Sequence, residues 1–165
     1  MKQISLFSYI KLGGYMKIEI IDDNNIYIFI NSCYMDHINI NSKEDIIDFI
    51  KSIIKKNRIK LKMKGFYKVI GHFNDKVGLF LDIYKLDDNL YSNSLDIKVI
   101  LNMKETIYFK TTLYDIIPIN TKIYYYDNNF YFDISNINNI YDIVEYGEFI
   151  YGDRIDNILN KSISI

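Results

Sequence analysis

Apolar and polar residues are arranged along this chain in short, separable patterns. Residues 17–21 and 26–30 are rich in β-formers and flank Asp22-Asp23-Asn24-Asn25. Asn and Asp tolerate the left-handed backbone of tight turns, so the segment predicts a hairpin. Over 43–56, Ile46, Ile47, Phe49, Ile50, Ile53 and Ile54 recur at helical spacing and predict a helix with one buried face. Ser42 is placed to cap it, with Asp45 near the positive end of its dipole and Lys55 and Lys56 near the negative end. Residues 58–64 alternate strictly: Ile59, Leu61 and Met63 point inward, and Arg58, Lys60, Lys62 and Lys64 point outward, until Gly65 ends or bends the run. A second hairpin follows, 66–73 with 77–84, around Asn74-Asp75-Lys76.

The pattern then breaks. Residues 86–94 hold Asp87, Asp88, Asn89, Ser92, Asn93 and Ser94 with few apolar anchors, which predicts a linker. Strands are expected at 95–101, 106–110, 122–126 and 130–134, the last two around Asp127-Asn128-Asn129. Thr112 to Ile117 predicts a short helical turn that Pro118 stops. Ser135 is the expected cap of a helix over 136–146, with Ile137, Ile140, Tyr141 and Val144 on one side and Gly147 as the residue that ends it. Asp153 is the expected cap of a last short helix carrying Ile155, Ile158 and Leu159. The expected fold class is α+β, as two small blocks of antiparallel β-hairpins each packed by amphipathic helices. The expected organisation is an N-terminal extension (1–15), a first block (16–85), the linker (86–94) and a second block (95–165).

Composition narrows the function classes. The 165 residues are 49% hydrophobic and 25% charged, the usage of a globular chain. No apolar run approaches the ~20 residues of a membrane-spanning helix. The N-terminus has no small-residue cleavage site, so no signal peptide is expected. The single cysteine excludes an internal disulfide framework and fits a reducing, cytoplasmic setting.

Charge is segregated. Residues 51–76 carry nine basic residues against one acid, a net of +8, whereas residues 77–165 carry seven against thirteen, a net of −6. The basic patch Lys55, Lys56, Arg58, Lys60, Lys62 and Lys64 has two readings. One is a lysine-rich strand face kept soluble and protected from edge pairing. The other is a surface for nucleic acid, although only one residue of the patch is the arginine that base readout favours.

Chemistry-bearing clusters are sparse. Cys33 and His37, with Asp36 beside them, lack an orienting group at recognisable spacing, and His72 is the only other histidine. The paired aspartates sit in turn-like stretches, and no glycine-rich phosphate loop is followed by Lys-Ser/Thr. No catalytic residues, metal ligands or cofactor are therefore expected. Tyr124-Tyr125-Tyr126 with Phe130, Tyr131 and Phe132 reads as cross-strand packing, with base stacking as the alternative.

Three stretches of the second block carry a resemblance: Ile107-Tyr108-Phe109-Lys110 leading to Leu113-Tyr114-Asp115-Ile116-Ile117, then Lys122 to Phe132, then Glu145-Tyr146-Gly147-Glu148-Phe149-Ile150 before a terminal helix. In this order they resemble the MecA-type adaptor family of the Clp protease machinery, and the strand, hairpin and helix from Met16 resemble its opening. The linker and the segment before Glu145 are shorter than is usual in that family. The resemblance implies a non-enzymatic protein-binding adaptor whose partners are a Clp-type AAA+ ATPase and a protein substrate. The first domain would hold the substrate and the second would dock the ATPase. Glu145, Tyr146 and Glu148, with Tyr125 and Tyr131 of the hairpin, combine aromatics with acids and are the candidate partner-binding residues. The alternatives are a nucleic-acid-binding module using the basic patch and a structural or regulatory domain.

Overall fold

A computed structural model describes residues 16–22, 24–55, 65–87, 94–103, 106–135, 137 and 143–165. The chain is α+β, with two five-stranded sheets and a few helices, and its compact units part after Met103.

The N-terminal unit opens with β1 (Met16–Ile20) and β2 (Asn25–Asn31), the expected hairpin. Its turn is held by Asp22, whose carboxylate accepts from the Asn24 amide (2.7 Å) and the Asn25 side chain (2.7 Å). These two bonds, the Asn25 side chain's first, hold the Asp22 carboxyl below the usual carboxylate range. Next come α1 (Ser32–Ile38) and α2 (Lys43–Lys55). The periodicity missed α1, a seven-residue helix marked mainly by its ends. Asn31 accepts from the Cys33 amide at 2.7 Å, and Asn39 ends the helix with φ at 50°. The cap of α2 is reciprocal: Ser42 Oγ accepts from the Asp45 amide (3.1 Å), and the Asp45 carboxylate accepts from the amides of Asn41 (2.9 Å) and Ser42 (2.8 Å).

The second hairpin is β3 (Gly65–Asn74) with β4 (Gly78–Asp87), and β5 (Leu95–Asn102) completes the sheet. The strand order is β1-β2-β4-β3-β5, antiparallel except for β3 with β5. Ile46, Ile50 and Ile53 of α2 join Ile18, Ile28, Ile30, Val69, Leu81 and Val99 in one buried cluster.

The boundary expected at 86–94 is therefore corrected. β4 runs to Asp87, and β5 belongs to the first sheet rather than opening the second block, because Ile97 and Val99 complete the N-terminal core. The expected strand at 58–64, most of the linker and the extension 1–15 lie outside the described residues.

The C-terminal unit contains β6 (Tyr108–Thr111), β7 (Ile123–Tyr126), β8 (Asn129–Asp133), β9 (Gly147–Ile150), α3 (Asp153–Leu159) and β10 (Ile163–Ser164). The sheet order is β10-β7-β8-β6-β9, antiparallel throughout. Asp127 and Asn128, with φ of 49° and 60°, make the tight β7–β8 turn. The helical turn before Pro118 is a 3-10 turn over Tyr114–Ile116. Ile107, Phe109, Phe132 and Ile134 form the fully buried centre of the unit.

Two further expectations change here. The helix expected to end at Gly147 closes as a 3-10 turn, Val144–Tyr146, and residues 138–142 are outside the description. Gly147 is extended (φ −179°) and starts β9, so it is a strand residue and no helix stop. Asp153 is the first residue of α3 rather than its cap, a position taken by Gly152 at φ +62°. Among the described residues, no helix is long and apolar enough to cross a membrane.

Candidate partner-binding site

The side chains with most to offer a partner lie at one end of the C-terminal sheet. β6 ends at Thr111, whose side chain is buried. Its hydroxyl donates to the Tyr146 carbonyl (2.8 Å) and accepts from the Leu113 amide (3.0 Å). This one group ties the loop after β6 to the turn before β9, 35 residues away in sequence. Leu113 and Tyr114 follow, 44% and 58% exposed, and Tyr146 is 50% exposed. Asp115 and Glu145 flank these residues in the chain, are exposed, and form no ion pair among the described residues. Glu148 is exposed too, but it meets Lys110 Nζ at 3.5 Å.

An aromatic path runs from this point across the sheet. The Tyr114 ring meets Phe130 edge-on at 5.5 Å, and Phe130 meets Tyr125 at 5.2 Å. Tyr125 lies opposite Ile163 of β10, which is 71% exposed. The Tyr125 hydroxyl donates to Asn128 at 3.1 Å. Residues opposite one another in a ladder share a face, so Ile163, Tyr125, Phe130 and Thr111 belong to one face.

Tyr131 belongs to the other face, in the row Tyr124–Tyr131–Lys110–Glu148, and is only 4% exposed. Of the five residues expected to form the partner site, Glu145, Tyr146 and Glu148 are exposed at the start of β9, with Glu148 in the Tyr131 row. The structure places Tyr125 on the adjoining aromatic face and withdraws Tyr131 into the fold. Leu113, Tyr114 and Thr111 were missed as site residues, because only the long-range β6–β9 pairing and the Thr111–Tyr146 hydrogen bond show that the two loops meet.

The withdrawn tyrosine has a measurable consequence. Burial first, then the acids Asp127 and Glu148, push the Tyr131 hydroxyl above the ordinary tyrosine value. Burial, with Tyr124 and Asp133, does the same for Tyr108. A raised folded-state pKa means that the unfolded chain gives up its protons first as pH rises. This contribution to stability is complete below about pH 10 and is lost as pH climbs through the folded-state values. Urea titrations above pH 10 should show stability falling, and Tyr131→Phe should make the fall shallower. An unchanged slope in the variant would mean that Tyr131 ionises freely in the folded chain.

The other sequence candidates are dispersed. Lys55 is exposed in the last turn of α2, while Lys56, Arg58, Lys60, Lys62 and Lys64 lie outside the described residues. Cys33 is exposed on α1, and His37 lies on the same short helix. The second histidine is the unforeseen one. His72 on β3 and Asp82 on β4 are both buried, with Nε2 3.5 Å from the carboxylate, and Asn102 of β5 lies 3.5 Å from Nδ1. No group of three or more His, Cys, Asp or Glu that could hold a metal ion occurs among the described residues. No protein-family model, curated protein or solved structure matches the chain.

Proposed function

We propose that this protein is a cytoplasmic, non-enzymatic adaptor, similar to the MecA-type adaptors that deliver substrates to a Clp-family AAA+ unfoldase. In this reading each unit is a helix-packed sheet serving one partner, the N-terminal unit a protein substrate and the C-terminal unit the ATPase. The observation that carries it is the surface at Thr111: exposed Leu113, Tyr114 and Tyr146, with Leu113 and Tyr146 tied by one buried hydroxyl, flanked by the exposed acids Asp115 and Glu145, which form no ion pair among the described residues. Protein docking sites have this composition, with aromatic anchors inside a polar rim, and a few anchors supply most of the affinity. The sequence resemblance of 107–117, 122–132 and 145–150 supports the same assignment.

The test uses the full chain, labelled at Cys33, its one cysteine, titrated with a purified Clp-family unfoldase from the same organism. Tyr114→Ala and Tyr146→Ala should each weaken binding about tenfold or more, the effect of losing an anchor. Glu145→Lys should act mainly on the association rate and its salt dependence, because rim charges steer encounter. Absence of binding by the unaltered chain would remove the adaptor reading. Binding that ignores all three substitutions would keep the adaptor and discard this surface.

A further inference from the structure

The first sheet ends in β5, whose one ladder partner among the described residues is β3. β5 is eight residues long, contains neither Pro nor Gly, and pairs with β3 without a bulge. Long, regular edges of this kind recruit further strands, and proteins normally shorten, kink or charge them. The three other edges here are shorter: β1 has five residues, β9 four and β10 two.

The direction of the free groups follows from one bond. The Gly65 amide donates to the Ser94 carbonyl at 3.1 Å, so even-numbered residues bond inward to β3. Backbone groups alternate sides along a strand, which leaves those of Leu95, Ile97, Val99 and Leu101 facing outward. The exposed side chains of β5 include one acid and one base, Asp96 and Lys98, and neither forms an ion pair among the described residues.

The geometry points to self-association, with β5 adding antiparallel to β5 of a second copy about a twofold axis at Ile97. In that register Leu95, Ile97 and Val99 exchange backbone hydrogen bonds with Val99, Ile97 and Leu95 of the second copy. Asp96 faces Lys98 of the second copy, and Lys98 faces its Asp96. These two pairs occupy the non-hydrogen-bonded positions, where opposing side chains come closest. The neighbouring registers are worse: an axis at Lys98 sets Lys98 against itself, and one at Val99 sets Lys98 against Ile100. The buried edge side chains Ile97 and Val99 extend the apolar layer across the axis. This inference is independent of the adaptor reading.

Light scattering and sedimentation equilibrium of the full chain over a concentration series test it. A mass twice the 19.7 kDa of one chain should emerge with concentration. D96K and K98D each place like charges opposite one another in both pairs and should raise the dissociation constant at least about tenfold. The double variant D96K/K98D should restore it, and an equimolar mixture of the two single variants should dimerise. Both residues changed are exposed and lie on the face of β5 opposite Ile97 and Val99, so folding is retained, which the melting curve checks. A chain that stays at 19.7 kDa throughout, or a dimer that ignores the charge reversals or is not rescued by the double exchange, would overturn the proposal.

Discussion

Gly78→Ala should destabilise the N-terminal unit by about 3–5 kcal/mol, in the range reserved for backbone conflicts and core defects. Two causes act together. Gly78 has φ of +128°, a conformation that side chains rarely adopt. A Cβ placed there would run into the Ile30 carbonyl oxygen and lie 2.7 Å from the Ser32 amide nitrogen and 2.9 Å from the Asn31 carbonyl carbon. All three are backbone atoms, so no rotamer change relieves the conflict. They also belong to a junction: Asn31 pairs with Gly78 in the β2–β4 ladder, Ser32 donates to the Val77 carbonyl (3.1 Å), and Asn31 caps α1. A shift of β4 would therefore loosen the ladder and the helix cap at once. Urea denaturation followed by far-ultraviolet dichroism measures the loss. A change below about 1 kcal/mol would show that the hairpin end is more adaptable than this geometry allows.

Gly147→Ala should detach β9 from β6, at a cost of about 3 kcal/mol or more, and should abolish the proposed unfoldase binding with it. Here the dihedral is not the obstacle, because φ of −179° suits any residue. The obstacle is space. A Cβ would meet the Lys110 carbonyl oxygen, and the Phe109 ring atoms lie 2.7 and 2.8 Å away. Phe109 is fully buried and in ring contact with both Phe132 and Phe149, so it has nowhere to turn. Displacing β9 would carry Tyr146 away from the Thr111 hydroxyl and Glu148 away from Lys110. Thr111→Val serves as the graded comparison. It deletes the two hydrogen bonds without adding bulk and should cost about 1–3 kcal/mol. Backbone amide chemical shifts of 111–114 and 146–150 report both effects. Wild-type shifts in the Gly147→Ala protein would contradict the close approach of the two strands.

Much of the local structure was legible before any fold was known. The Asp22-to-Asn25 and Asp127-Asn128 turns, the buried stripe of α2 with its Ser42–Asp45 cap, and the turn before Pro118 all depend on residues within a few positions of each other. Their signals are spacing and turn chemistry, which a single sequence carries in full. The α+β class followed from the same short-range patterns.

Other features rest on contacts between distant segments. The periodicity of 95–101 shows a strand with one apolar face but not which sheet it covers, and only its parallel pairing with β3 assigns β5 to the N-terminal core. Gly147 reads as a helix stop from the sequence, and only Lys110 and Phe109 packed against it show a strand residue. The withdrawal of Tyr131, the meeting of His72 with Asp82, and the Thr111 hydroxyl that joins Leu113 to Tyr146 were likewise decided by tertiary structure. The sequence by itself determined which faces are apolar and where the chain turns, because those follow from local steric and hydrogen-bonding preferences. Which faces meet, and so which side chains remain at the surface for a partner, was decided only when long-range packing selected one set of neighbours.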